Sequence, residues 1–384
     1  MPVRNSIAER LETHTAWRRD FHAHPELMFD LPRTASNVAQ KLREFGCDEV
    51  VEGVGQSGVV GVIEGRGVGK TVALRADMDA LPILEDTGVP YASNTPGKMH
   101  ACGHDGHTTM LLAAAEYLAA TRSFNGRVIV VFQPAEEGGG GARVMMEDGL
   151  FDQFGIDEIY GMHNVPNMEA GTFAIRPGAF YGSADEIQIV IEGEGGHAAQ
   201  PHQTVDAVVV ASHVVLAVQS VVSRKLDPIE EAVVSLTTIT TDSSAHNVIA
   251  GRVEMTGTVR VFDAALQDKI ETEMTRLVEM TAAAHGATAR FTYKRGYPIL
   301  KNTPDETGFA AEAATRVVGA CGDAPKIMWG EDFAYFLEEK PGAYIWLGIG
   351  PSAPLHHPKY NFNDAVLPLG ASWFVEIAEA RLSA

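Results

Sequence analysis

Residues 71–79, TVALRADMD, and residues 126–134, GRVIVVFQP, decide how the first half of this chain folds. Each is a short apolar run that ends on polar residues, which is typical of a buried strand. Between them, residues 107–121, HTTMLLAAAEYLAAT, have a helical pattern. Strand, helix and strand in this rhythm predict an α/β layer with a largely parallel sheet. Two further strand-like runs, GVVGVIE at 58–64 and EIYGMHNV at 158–165, belong to the same layer.

The middle of the chain has a different order of elements. From about Ala184 the sequence reads as a strand, a helix, two strands, a second helix that ends at a glycine, and a strand. This β-α-β-β-α-β order predicts a small sheet with two helices on one face, a ferredoxin-like unit. The α/β character returns after residues 291–300, FTYKRGYPIL. We therefore predict one discontinuous domain over residues 1–182 and 295–384, with residues 183–294 inserted into it.

The length and composition are those of a globular protein with two domains. The chain has 384 residues, of which 45% are hydrophobic. Its formal charge of −20 repels nucleic acid and anionic membranes, so we expect neither as a partner. The charged N-terminal stretch does not resemble a signal peptide, and the apolar run 205–218 is interrupted by Asp206 and His213, which favours a buried helix over a membrane span. We expect a cytoplasmic protein without a disulfide framework, because its three cysteines are far apart.

The stretch MHACGHDGHT, Met99 to Thr108, concentrates three histidines, a cysteine and an aspartate in ten residues. Thiolate and imidazole are preferred ligands of zinc and of its neighbours among the transition metals. A Cys-x-His pair on a loop, here Cys102 and His104, can direct both side chains into one cavity. Taken alone, the stretch is equally compatible with a polar helix start or with a nucleophilic cysteine.

Further donor residues follow other strands. The motif QPAEEGGGGA places two adjacent carboxylates, Glu136 and Glu137, after an apolar strand. Adjacent carboxylates repel each other unless a cation lies nearby, and such pairs commonly divide into a metal ligand and a general base. His163 ends another strand, and His356 and His357 lie near the C-terminus. Because ligands collect at the carboxyl ends of strands in such sheets, the joint occurrence of these residues favours a metal-dependent site.

Eight motifs, in this order along nearly the whole chain, resemble the bacterial hippurate hydrolase and N-acyl-amino-acid amidohydrolase branch of the aminoacylase–carboxypeptidase metallopeptidase family. They are RADMDALP (75–82), MHACGHDGH (99–107), QPAEEGGGGA (133–142), GMHNVP (161–166), GGHAAQPH (195–202), HNVIAG (246–251), GEDFAYF (330–336) and LHHPKYNFND (355–364). The resemblance implies a mixed, largely parallel-sheet metallopeptidase domain. It also implies that the inserted ferredoxin-like α+β domain serves for dimerisation and as a lid.

The resemblance further implies a binuclear metal centre with two divalent ions per subunit, of zinc, manganese, nickel or cobalt. Cys102 would bridge the two ions. His104 and His163 would complete the protein ligands of one ion, and Glu137 and His356 those of the other. His356 is preferred over the neighbouring histidine because the family's ligand follows a leucine at this point.

The same resemblance implies roles in the reaction. A divalent ion lowers the pKa of bound water from about 15.7 toward about 7, and Glu136 would act as the general base that takes its proton. Asp79 would orient a ligand. His197 would stabilise the oxyanion, often from the inserted domain of a second subunit, which implies a homodimer or homotetramer. Asn247 or Arg260 would bind the carboxylate end of the substrate.

The roles of three residues of these motifs, Asp77, Glu331 and Asp332, stay open; Glu331 and Asp332 are expected near the pocket, but Trp329-Gly330 replaces the more usual Gly-Ser before them. Many relatives have His-x-Asp where this chain has Asp77-Met78-Asp79, so the role of Asp77 is open. His107 is expected beside the ligands or at the start of the following helix rather than among the ligands.

The predicted activity is metal-dependent hydrolysis of the amide bond of a small-molecule N-acyl amino acid, hippurate-like or N-acetylated, to a carboxylate and a free amino acid. A metallo-dipeptidase or carboxypeptidase on the same scaffold is one alternative. A cysteine hydrolase with Cys102 as nucleophile is a second, although it gives no role to Glu136 or His163. A non-catalytic metal-binding protein is a third.

Overall fold

The structure is a computed structural model that describes residues 4–383, and the chain divides into two compact units. Unit 1 contains the residues up to Gly178, Lys301–Pro325 and the residues from Asp332 onward. Unit 2 contains Ala179–Leu300 and Lys326–Glu331.

Unit 2 is longer at both ends than the insertion predicted over 183–294. The predicted end falls inside a strand, Thr288–Tyr297, which pairs with Ala184–Glu192 of the same unit. Lys326–Glu331 belongs to unit 2 as well, since Ile327 forms a β-bridge with Tyr181. Nothing in the sequence indicates this distant segment.

The described chain contains the following elements. The strands are β1 (Glu49–Val54), β2 (Gly58–Glu64), β3 (Thr71–Asp77), β4 (Arg127–Gln133), β5 (Glu158–Pro166), β6 (Phe173–Ile175), β7 (Gly178–Tyr181), β8 (Ala184–Glu192), β9 (Gly196–His197), β10 (Ala232–Thr241), β11 (Val248–Ile249), β12 (Arg252–Val261), β13 (Thr288–Tyr297), β14 (Leu300–Asn302), β15 (Gly322–Asp323) and β16 (Gly342–Gly350). The helices are α1 (Asn5–Ala8), α2 (Leu11–Ala23), α3 (Pro32–Phe45), α4 (His104–Thr121), α5 (Gly141–Glu147), α6 (Leu150–Phe154), α7 (Ala207–Ser220), α8 (Ala264–Ala284), α9 (Pro304–Val318), α10 (Phe333–Glu339) and α11 (Leu367–Arg381). Short 3₁₀ turns cover Pro201–Gln203 and Asp364–Val366, and a π-helical turn covers Val221–Lys225.

Unit 1 is built on an eight-stranded sheet with the order β1-β2-β4-β3-β5-β16-β6-β15. The four strands β4, β3, β5 and β16 run parallel in its centre, and β1 and β2 continue it in antiparallel fashion. Every residue of β3 and β16 is buried, which explains why these strands read as continuous apolar runs instead of alternating ones. α4 and α11 pack against each other and against β3. The predicted mixed, largely parallel sheet is confirmed.

Unit 2 contains a four-stranded antiparallel sheet with the order β10-β12-β8-β13. Its chain order is β8, α7, β10, β12, α8, β13, and the two helices pack together over the sheet. The β-α-β-β-α-β prediction is therefore confirmed. Asp206, which interrupts the apolar run in the sequence, caps α7 by accepting hydrogen bonds from the N–H groups of Val208 and Val209.

The prediction that α7 is a buried helix was correct for one face only. Its inner face is buried in the core of unit 2, whereas Val208, Val209 and Leu216 on the other face are 44%, 49% and 71% exposed. The helical stretch Ala207–Lys225 is long and apolar enough to cross a membrane by length and composition alone, a test that core helices of soluble proteins also pass. An apolar run in the sequence does not show which of its faces is covered.

Candidate metal centre

The donor residues of unit 1 follow adjacent parallel strands. β4, β3 and β5 are neighbours in the sheet, and β3 ends at Asp77. Glu136 follows β4 by three residues, and His163 lies in the last part of β5. Because the carboxyl ends of parallel strands meet at one edge of a sheet, these side chains lie close together.

The segment Cys102–His104 leads into α4 through a position that requires glycine. Gly103 has a φ of +96°, and a Cβ atom there would lie 2.0 Å from Oδ1 of Asn164. Nδ1 of His104 donates a hydrogen bond to the backbone oxygen of Asp79 at 2.8 Å. A carbonyl oxygen only accepts, so the proton of a neutral His104 ring is on Nδ1 and the lone pair is on Nε2.

Five side chains converge next to this helix start. One ligand atom each of Cys102, His104 and His163 lie within 4.8 Å of one another, and the same is true of Cys102, Glu137 and His356. Sγ of Cys102 is 3.4 Å from Nε2 of His163, and Nε2 of His356 is 3.3 Å from Oε1 of Glu137. The structure thus brings together all five residues predicted as ligands, with Cys102 common to both groups.

The chemistry of these atoms fits divalent cations. Nε2 of His104 and Oε1 of Glu137 are buried and make no hydrogen bond, which costs about 1–3 kcal/mol for each atom in the absence of a partner. Burial alone would lower the pKa of His104, but Asp77, Asp79 and Glu137 raise it to about 10. The surrounding carboxylates therefore favour a positive charge at this position. A mixed sulfur, nitrogen and oxygen donor set suits zinc and its neighbours.

The environment of Cys102 argues against a free nucleophilic thiolate. The residue is buried, and burial together with the carboxylates of Glu137, Glu136 and Asp77 raises the pKa of its thiol well above the ordinary value. Reactive cysteines have lowered pKa values and electropositive surroundings. A thiolate at this position requires a cation beside it.

Asp79 holds the acidic pair in place. Its Oδ1 accepts a hydrogen bond from the N–H of Glu136 at 2.9 Å, and its Oδ2 accepts one from the N–H of Glu137 at 3.1 Å. Ala135, just before the pair, has a φ of +53°, a left-handed conformation that is strained for a residue with a side chain. Since Asp79 also accepts from His104 through its backbone oxygen, this one residue fixes both carboxylates relative to the Cys-x-His segment.

Of the two C-terminal histidines, His356 is the one that faces the cluster. It has a φ of +61°, and its N–H donates to the backbone oxygen of Ala101 at 2.8 Å, next to Cys102. Nδ1 of His357 instead accepts a hydrogen bond from the N–H of Lys359, within its own turn.

Comparison with known proteins now identifies the family. Residues 73–380 match the peptidase family M20/M25/M40. The chain belongs to this family. It is 40% identical over 364 residues to the hippurate hydrolase of Campylobacter jejuni and 38% identical over 362 residues to an N-acetylcysteine deacetylase of Bacillus subtilis, with 94% of both chains covered in each case. A solved dinuclear metal-binding M20 peptidase of Bacillus subtilis is 34% identical, with a TM-score of 0.86 and coverage of 98% of this chain and 99% of that one.

The predicted resemblance is thereby confirmed. This M20 protein is a hydrolase related to the hippurate hydrolase and aminoacylase branch of the family.

Unit 2 of the M20 chain holds the three other predicted residues, at two different places. His197 in β9 pairs with Val248 in β11, and the backbone oxygen of Asn247 accepts a hydrogen bond from the N–H of Ala198. β12 begins at Arg252, shortly after β11, and Arg260 lies eight residues further along the strand. At about 3.4 Å per residue, this separation is about 27 Å. The structure brings His197 and Asn247 together and keeps Arg260 apart from both.

Sequence reasoning missed a buried arginine at the centre of this M20 site. Arg75 donates from Nη1 to Asp77 at 2.7 Å, from Nη2 to Asp332 at 2.9 Å and from Nε to Gln133 at 2.8 Å. Burial alone would raise the pKa of Asp77, but His104, Arg75 and His107 hold it well below its usual range. The available signal was a charged residue inside the apolar strand TVALRAD, which requires a buried partner of opposite charge.

Proposed function

We propose that this M20 hydrolase cleaves the amide bond of N-acyl amino acids, hippurate-like or N-acetylated, to a carboxylate and a free amino acid. The observation that carries the proposal is the convergence of five donor side chains beside the adjacent carboxylate Glu136. The names of two relatives, hippurate hydrolase and N-acetylcysteine deacetylase, specify substrates of this class.

In this proposal two divalent ions occupy the cluster. Cys102, His104 and His163 would hold one ion, and Cys102, Glu137 and His356 would hold the other. Bound divalent ions supply a nucleophile at neutral pH by lowering the pKa of water. Zinc, manganese, nickel and cobalt all suit this donor set.

Glu136 is the proposed general base. Its carboxylate accepts the proton of the attacking water and then delivers it to the nitrogen of the leaving amino acid. The side chain is only 7% exposed, and its backbone is held by Asp79, so the base has a fixed position and little competing solvent. His197 donates to the developing oxyanion, and Asn247 or Arg260 binds the substrate carboxylate.

We further propose that the enzyme is a homodimer, or a homotetramer built from such dimers, with shared active sites. Arg260 lies about 27 Å along β12 from the strand end that follows β11, whereas Asn247 and His197 lie at β11 and β9, which favours a site that draws on two copies of unit 2. Each such site would receive Arg260 from one copy and His197 from the other. The exposed apolar face of α7, which includes Leu216, is a surface that a second copy could cover.

A substrate panel tests the proposed activity. Benzoyl-glycine, N-acetyl amino acids and unblocked dipeptides are compared at equal metal loading. The proposal predicts the highest kcat/KM for one of the acylated amino acids. A strong preference for unblocked dipeptides would instead assign the chain to the dipeptidases or carboxypeptidases of this scaffold. Elemental analysis of the same preparation identifies the metal.

A further inference from the structure

Asp77 and His107 have no part in the reaction proposed above, although both are buried beside the cluster. Nδ1 of His107 is 2.6 Å from Oδ1 of Asp77. The backbone N–H of Asn164 donates a hydrogen bond to Nε2 of His107 at 3.1 Å. His107 therefore connects the end of β3 to the residue that follows His163.

The second contact fixes the tautomer of His107. A backbone N–H can only donate, so Nε2 of His107 must carry a lone pair and Nδ1 must carry the proton that is donated to Asp77. Both nitrogens are then used. His107 has no lone pair left for a metal ion, even though it lies close to His104 and Asp77.

The same residue, Asn164, also orients His163. Nδ1 of His163 donates to the backbone oxygen of Asn164 at 2.7 Å, which leaves Nε2 facing Sγ of Cys102 at 3.4 Å. The backbone N–H of Asn164 is held by His107, and its side-chain amide donates to the hydroxyl of Tyr360 at 2.8 Å. The direction of the ligand nitrogen of His163 thus depends on how Asn164 is held.

Arg75 anchors the other end of these contacts. Its Nη1 donates to Oδ2 of Asp77 at 2.7 Å, so the two oxygens of Asp77 are engaged by Arg75 and His107 respectively. All three side chains are buried, and water does not compete for these hydrogen bonds.

We propose that Arg75, Asp77 and His107 form a positioning relay that sets the ligand nitrogen of His163 through the backbone of Asn164. The relay raises the affinity of the ion site formed by Cys102, His104 and His163. It has no direct effect on the site formed by Cys102, Glu137 and His356. The inference rests on the metal centre of the proposed function. Hydrogen-bonding partners of metal ligands typically change metal affinity 10–100-fold.

Two substitutions of His107 separate its two hydrogen bonds. His107→Gln keeps an acceptor oxygen near the position of Nε2, within reach of the N–H of Asn164. His107→Asn keeps a donor toward Asp77 but is too short to reach Asn164. His100→Gln is the matched control, because His100 is a buried histidine of the same stretch and neither of its ring nitrogens makes a hydrogen bond.

The test is calorimetric titration of the full-length, metal-stripped protein with Zn²⁺ and, separately, with Co²⁺. Wild type should bind two ions per chain. In His107→Asn, one of the two dissociation constants should rise 10–100-fold and the other should stay within about threefold. His107→Gln, which loses the contact with Asp77 but keeps the one with Asn164, should weaken the same site less than His107→Asn does, and His100→Gln should stay close to wild type. Circular dichroism confirms that each variant is folded before titration.

Two double variants, in which His107→Asn is combined with the loss of one ligand, identify the affected ion site. With His356→Ala, which removes a ligand of the second site, His107→Asn should still weaken the remaining ion 10–100-fold. With His163→Ala, His107→Asn should have no further effect. Asp77→Asn preserves the volume of the side chain and should also weaken the site formed by Cys102, His104 and His163. It replaces His107→Asn in the titrations if that variant does not fold.

The outcomes separate the relay from the function on which it rests. If wild type binds two ions and His107→Asn keeps both affinities, or if both sites weaken equally, the relay is refuted and the proposed function stands. Equal behaviour of His107→Gln and His107→Asn also refutes it. A wild-type protein that binds no divalent ion contradicts the metal centre, and the relay with it.

Discussion

His22 of α2 is predicted to make the stability of this protein depend on pH above neutrality. Its Nδ1 lies 2.8 Å from Oδ2 of Asp105, and its Nε2 lies 3.2 Å from Oε1 of Glu85. An ionised carboxylate only accepts hydrogen bonds, so both ring nitrogens are donors and the ring is positively charged. Burial alone would lower the pKa of His22, but the hydrogen bonds to Asp105 and Glu85 overcome it and raise the pKa to about 9.

The size and sign of the effect follow from this shift. The folded pKa of about 9 exceeds the unfolded value of 6.5, so the folded state binds the proton more tightly. The stabilisation is fully present below pH 6.5 and is lost as the pH rises through 9. A pKa that is about 2.5 higher in the folded than in the unfolded state corresponds to roughly 3 kcal/mol in the free energy of unfolding.

Urea unfolding of wild type and His22→Gln at pH 6 and at pH 9.5 measures the effect, at the same metal loading throughout. Tryptophan fluorescence is suitable because Trp17, Trp346 and Trp373 belong to unit 1, which contains His22. The wild-type protein should be more stable than the variant at pH 6, and this difference should shrink by roughly 3 kcal/mol at pH 9.5. A difference that stays constant or grows with pH would contradict a raised pKa of His22 in the folded protein.

Three further predictions concern the site and the assembly. Gly103→Ala should destabilise the protein by about 2–4 kcal/mol, because alanine at a φ of +96° is strained and its Cβ meets Asn164 at 2.0 Å; an unchanged thermal melt contradicts this. Exhaustive chelation should abolish hydrolysis, and added Zn²⁺ or Co²⁺ should restore it, whereas surviving activity would favour the cysteine hydrolase. Leu216→Glu should lower the molar mass in light scattering to that of a monomer, while Val68→Glu, at a fully exposed loop position, should not. A monomeric wild type would contradict the shared-site proposal.

The sheet and the central cluster could be predicted because the decisive signals are local. Buried strands such as β3 and β4 can be recognised in the sequence as continuous apolar runs. Because these strands are parallel, the residues that follow them lie together at the carboxyl-terminal edge of the sheet. For this reason Glu136 and His163 could be grouped without a structure. His356, far away in the chain, was grouped with them by the ordered motifs, and the structure places it beside Glu137.

Other features depend on contacts that one sequence does not encode locally. The buried ion pairs of Arg75 with Asp77 and Asp332, and of Arg18 with Asp105, join segments that are far apart in the chain or hidden inside apolar strands. The apolar pattern of α7 predicted a helix correctly, but it could not show that Leu216 remains uncovered. Asn247 and Arg260 were alternatives for binding the substrate carboxylate, and only the strand register shows that Asn247 lies beside His197 and Arg260 at the far end of its strand.

We propose that Glu136 acts as the base of a metal-dependent amidohydrolase. The most direct test is the rate of benzoyl-glycine or N-acetyl amino acid hydrolysis by wild type and Glu136→Gln at equal metal content, with the exposed Glu12→Gln as control. Glu136→Gln is expected to retain two ions per chain and to lose about 10²–10⁴-fold in kcat, while the control is unchanged. A Glu136→Gln protein that turns over at the wild-type rate with the same metal content would contradict this role of Glu136.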